Sequence, residues 1–140
     1  MSEAAKLRAG AAQVDITPEA GTHLAGAVGY YRPARLALDP LHARALVLET
    51  CEARLCILAL DVTIITEEWT AFIRDRAQSV FGLEPDAVMV HATQTHSAPP
   101  VGHFMLDPDF PELPEDFEWV RGGDPDYSEW AANRAVDAIG

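Results

Sequence analysis

His91-Ala-Thr-Gln-Thr-His-Ser-Ala-Pro-Pro100 gathers two imidazoles, a carboxamide, three hydroxyls and a rigid proline pair within ten residues. It follows the apolar run Ala87-Val-Met-Val90, so the polar groups begin where a buried strand gives out. In open α/β sheets, ligands and reacting groups collect at the carboxyl ends of strands. A metal site or an acyl-transfer site needs such a cluster on a fixed backbone. A Thr/Ser-rich loop with two solvent-facing histidines fits the spacing equally well.

Several elements must position that loop. Ala11–Thr17 alternates as a first strand and is stopped by Pro18. Gly21–Asp39, rich in Gly, Ala and Tyr, reads as an irregular loop. Leu41–Leu48 and Arg54–Val62 read as two strands joined through residues 49–53. The second is almost continuously apolar, the pattern of a strand buried on both faces. Thr66–Phe81 reads as a helix: Thr66 is placed to cap it, and Glu67 and Glu68 suit the positive end of its dipole. Trp69, Phe72, Ile73, Ala77 and Val80 make one stripe, and Gly82 stands where a left-handed terminator belongs. With the strand at 87–90 this is a βαβ unit, so strands 54–62 and 87–90 are expected to be parallel. Asp61 and His91 then fall near one sheet edge. Residues 99–123 are Pro-rich, acidic and aromatic without a period, and Phe104, Phe110, Phe117 and Trp119 argue for an ordered lid or interface. Asp126–Ile139 resumes a helical stripe through Tyr127, Trp130, Ala131, Ala135 and Ile139.

Composition narrows the class. A chain of 140 residues is one domain at most, and with 49% hydrophobic residues it suits a soluble globular protein. The formal net charge of −12 repels phosphate backbones and anionic lipid, arguing against nucleic acid or membrane headgroups as partners. No apolar run approaches the roughly 18 residues of a membrane span. Residues 1–10 carry charges and no apolar core of a secretory signal, so a cytoplasmic location is expected. Cys51 and Cys56 match neither a zinc ribbon nor a redox pair; Cys56 alternates into a strand as a core residue. The final helical stripe stops at Gly140 with nothing to pack between, so residues 1–140 are expected to be the first part of a larger domain.

The order of motifs resembles one family. Ala9-Gly-Ala-Ala-Gln-Val-Asp-Ile-Thr-Pro18 is similar to the opening of the neutral/alkaline non-lysosomal ceramidases. Asp39-Pro-Leu-His-Ala-Arg-Ala-Leu-Val-Leu-Glu49 resembles that family's next strand. Ala92-Thr-Gln-Thr-His-Ser-Ala-Pro99 resembles its Thr-His-Thr-His-Ser-Gly-Pro signature, and Asp126-Tyr-Ser-Glu-Trp130 the stretch that follows. The resemblance covers nearly the whole chain but only the N-terminal part of the family's catalytic domain. It implies an α/β fold with a mixed sheet, the N-terminal portion of a ceramidase-like domain in which residues 99–124 form an acidic, Pro-rich loop. It also implies a zinc-dependent hydrolase that cleaves the N-acyl amide bond of ceramide or a related lipid-like substrate through a metal-bound water. The remainder of the catalytic domain would be its partner.

Carried over residue by residue, the first signature histidine, the implied metal ligand, is Gln94 here, and a carboxamide is a weak zinc ligand beside imidazole. His96 matches the second, implied to hydrogen-bond the substrate carbonyl or the metal-bound water, or to become the ligand if the loop shifts. Asp61 ends a buried strand beside the loop and is placed either to orient His96 or to cap the turn towards Thr66. His91 is read as a strand-end histidine with a satisfied ring, or else as a support for the site, His103 as solvent-facing, and His23 and His42 belong to no site. Arg32 and Arg35 are read as partners of the acidic surface. Two function classes remain: a hydrolase of the neutral ceramidase type, completed by downstream ligands, or a divergent, non-catalytic binding module without a complete metal site.

Overall fold

A four-stranded mixed sheet with two helices on one face holds the candidate loop at its edge. The computed structural model describes residues 6–27, 29–103, 105, 106, 109 and 112–140. Strands β1 (Arg8–Asp15), β2 (His42–Glu49), β3 (Arg54–Leu60) and β4 (Val88–Ala92) lie in the order β1-β2-β3-β4. The first two pairings are antiparallel and β3–β4 is parallel, with Ala59 opposite His91. The helix between them is α1 (Glu67–Phe81), so the βαβ unit expected from spacing is present. The second helix, α2 (Pro125–Asp137), starts with Pro125 in its first turn and Asp124 capping the Tyr127 N–H at 3.0 Å.

One core joins the layers. Ala43 and Ala45 of β2, Cys56, Leu58 and Leu60 of β3 and Val88 of β4 are buried against Ile73 and Ala77 of α1 and Ala131 and Ala135 of α2. The small residues on α2 bring its axis close to the sheet. Tyr127 locks it there: its buried hydroxyl donates to the Ile16 carbonyl at 2.8 Å, beyond the end of β1. Burial foremost, then the charges of Asp15 and Asp61, hold that phenol protonated well above its ordinary range. Both cysteines are free, and Cys56 is the core residue its alternation implies.

Four expectations need correction. Thr66 occupies the N-cap position but its side chain makes no capping bond; its Oγ1 is buried and its N–H donates to the Val101 carbonyl at 3.0 Å. Val80 is exposed, because the stripe on α1 rotates off the core in its last turn. The acidic segment contains regular structure, a 3-10 helix over Glu115–Arg121; Phe104 and Phe110 lie outside the described residues. β3 is buried on one face only: Leu55 stands 42% exposed, on the side away from the helices. Gly82 ends α1 in the left-handed region, as expected (φ 63°). Among the described residues no helix is long and apolar enough to cross a membrane.

Candidate functional site

The chain leaving β4 keeps pairing after the ladder ends. Thr93 N–H donates to the Leu60 carbonyl at 2.9 Å and Gln94 N–H to the Val62 carbonyl at 3.1 Å. Gln94 then turns into the left-handed region at φ 61°, alone among the described non-glycine residues. That conformation costs a side-chain-bearing residue about 1–2 kcal/mol and persists only where the surroundings enforce it. Thr63 ties down the chain that follows Gln94. Its buried hydroxyl faces the carbonyls of Thr95 (3.0 Å) and Ala98 (2.9 Å), and its N–H donates to the Pro99 carbonyl at 3.2 Å. Pro99 and Pro100 are themselves buried, so the loop is pinned on both sides of His96.

A second loop, within residues 21–34, closes on the first. Ala25 N–H donates to the Ala98 carbonyl at 3.0 Å. The Arg32 guanidinium bridges the two, donating to the Ala25 carbonyl at 3.2 Å and to the His96 carbonyl. Arg32 thus fixes backbone rather than pairing with the acidic surface. Gly26 sits directly against His96: a Cβ there would meet His96 Cβ and Cγ at 2.6 Å and Cα at 2.9 Å, and its φ of +90° already excludes most side chains. Glycine is required where the two loops touch. Sequence reasoning missed Thr63, Gly26 and Arg32, because none lies in the polar motif and their roles arise from contacts between distant segments.

The other candidates are placed as follows. Gln94 and His96 share the loop, and both are exposed. Asp61 lies at the same sheet edge, but its carboxylate accepts from Arg44 Nη1 at 2.6 Å and from the His42 N–H at 3.0 Å, and among the described residues it makes no bond to His96. Arg44 also approaches His42 Nδ1 at 3.3 Å. His91 and His103 are exposed. His23, assigned to no site from sequence, stacks on Tyr31 (5.2 Å, 13°) and meets Trp119 of the 3-10 helix at 5.3 Å. Its Nδ1 accepts from the Arg32 N–H at 3.3 Å, so this ring is also tied to the Arg32 bridge. Burial, then the Arg32 charge, push the His23 pKa down.

Thr95 and Ser97, the neighbours of His96, line a cleft of about 520 Å³. Leu24, Leu36, Leu38 and Leu41 line the same cleft, together with Arg32 and Arg35. Leu36 and Leu38 are 79% and 86% exposed, so much of this apolar lining meets solvent. Cavities of this size accept small amphipathic molecules. The zinc implied by the resemblance meets a poor donor set. Among the described residues no three His, Cys, Asp or Glu side chains converge on a possible metal position. A catalytic zinc takes three protein ligands, whereas this loop offers one imidazole and one carboxamide. The residues described here do not fit the metal by themselves.

No family model matches the chain, and no curated protein matches it by sequence. Solved structures do. The chain is similar to the neutral ceramidase from Pseudomonas aeruginosa, with a TM-score of 0.69 and 20% identity over 97% of this chain and 21% of that one. A ceramidase complexed with C2 matches with a TM-score of 0.67 and 21% identity, over 95% of this chain and 20% of the other. The fold is therefore ceramidase-like, and the chain spans about a fifth of the length of the ceramidases it matches.

Proposed function

We propose that this chain forms the substrate-facing N-terminal part of a hydrolase that cleaves the N-acyl amide bond of ceramide or a related lipid-like amide. One observation carries the reading: in a ceramidase-like fold, His96 lies on a doubly pinned strand-end loop whose flanking Thr95 and Ser97 line an amphipathic cleft. In this reading an acyl chain takes the apolar lining of Leu24, Leu36 and Leu38, and the amide faces the hydroxyls of Thr95 and Ser97. In amide hydrolysis water adds to the carbonyl carbon, negative charge grows on the carbonyl oxygen, and the C–N bond breaks as the amine takes a proton. His96 is the group on this chain suited to meet that oxygen with an N–H. A donor held by the fold beforehand costs little reorganisation as charge develops. Gln94, whose side chain also projects from the loop, supplies a neutral amide donor to the same head-group region. Zinc belongs to this reading only with ligands from outside the described residues, and no step above passes through it.

His96→Ala, made in the complete protein that carries this chain, is the test. Turnover of a short-chain ceramide should fall by about 10²–10³, the scale for losing one preorganised donor. The midpoint of thermal unfolding should stay within about 2 °C, since an exposed side chain contributes little to stability. Unchanged turnover would remove His96 from the chemistry.

A further inference from the structure

The sheet has a bare apolar face. Register places Leu46 opposite Ile57 and Ile57 opposite Met89, with Leu48 opposite Leu55 on the next row. All five side chains lie on the side away from α1 and α2, where Ala59 completes the surface, and none belongs to the buried core cluster or to the hydrophobics packed against it. Leu46, Leu55 and Met89 are 37%, 42% and 50% exposed. A sheet that is hydrophobic on both faces must bury both, whereas here helices cover one. The near-continuous apolar run of β3 is written for two-sided burial, and the described residues supply half of it. At one end the face turns polar at Arg44 and His91, beside the loop that carries His96.

We infer that this face is the seat of a second structural layer, contributed by the part of a ceramidase-length chain that has no counterpart in these 140 residues. The inference rests on the ceramidase-like reading above. In the matched ceramidases about four-fifths of the chain lies outside the aligned region, ample for a covering layer. A second copy of this chain is the poorer occupant: each copy carries a net charge of −12, and self-association would bring these like charges together. The layer would fix the outer side of β3 and β4, so the strand ends that present His96 would be held from both sides of the sheet.

Thiol labelling tests this without reading activity, so its failure and a failure of the hydrolase reading remain distinguishable. Met89→Cys is a conservative replacement at the edge of the face, and native Cys51, exposed in the β2–β3 turn, serves as an internal reference. In the protein as its gene encodes it, Cys at 89 should react with a maleimide at least about tenfold slower than Cys51, and independently of protein concentration. Reaction as fast as Cys51 would overturn the inference. So would protection that disappears on dilution together with a dimer in sedimentation, which would show a second copy in that place.

Discussion

At the residue scale, the sharpest feature is Gln94. A left-handed non-glycine residue marks a place where the loop's contacts override local preference. Gln94→Gly should therefore leave stability unchanged or raise it by up to about 1 kcal/mol, relief of the left-handed cost being offset by the larger entropy of glycine in the unfolded chain. Gln94→Val, β-branched at the same φ, should lose more than about 1 kcal/mol. Chemical denaturation of both variants checks the pair; equal stabilities would mean that the turn is not enforced. Gly26 makes the complementary case. Gly26→Ala introduces a Cβ 2.6 Å from His96 Cβ in a backbone region alanine avoids, so turnover should fall about as far as in His96→Ala even though the imidazole remains. Wild-type turnover in that variant would show that the contact between the two loops does not position His96. The motif around His96 was legible in the sequence as a chemical inventory. The orientation of its members was not, because the turn at Gln94 and the approach of Gly26 depend on segments about 30 and 70 residues away.

At the scale of elements, the strands and helices were legible because periodicity reports burial directly. The β3–α1–β4 unit follows from a near-continuous apolar strand, a 3.6-residue stripe and a terminating Gly82. The pattern misled where an element serves something besides its own capping or core. Thr66 turns its hydroxyl away from the helix it begins, and Glu115–Arg121 forms helix without an apolar stripe because Trp119 anchors it to His23 and Tyr31. That anchor carries a pH prediction. His23 has a folded pKa below its ordinary 6.5, so its neutral ring stabilises the folded state above about 6.5. As pH falls below 6.5 the unfolded chain takes up the proton more readily than the folded one, and the contribution is lost; protonation also ends acceptance of the Arg32 N–H and sets like charges together. Trp119 fluorescence should change on acidification with a midpoint below 6.5, and the change should vanish in His23→Phe. A pH-independent signal in the native protein would dismiss the clasp. Thr63→Val makes the matching test on the other side of His96. It strands the carbonyl of Thr95, while that of Ala98 keeps the Ala25 N–H, and should cost about 1–3 kcal/mol, read by denaturant titration.

At the scale of the whole molecule, a two-layer α/β unit with one bare sheet face carries an amphipathic cleft and a single pinned imidazole. The sequence conveyed the fold class because alternation and stripes are local. It misled on β3, whose near-continuous apolar run reads as burial on both faces although these residues cover only one side of that strand. The donor count has a consequence that can be measured: with one imidazole and one carboxamide in the loop, residues 1–140 alone should retain well under one zinc per chain after dialysis, by elemental analysis. Stoichiometric zinc would show that the loop rearranges to bring in further ligands. The most direct measurement incubates the complete protein with a short-chain ceramide and quantifies the released fatty acid and sphingoid amine together. Both products are expected in equal amounts, with release collapsing in His96→Ala. No amide cleavage by a folded protein, or release undiminished in that variant, would contradict it.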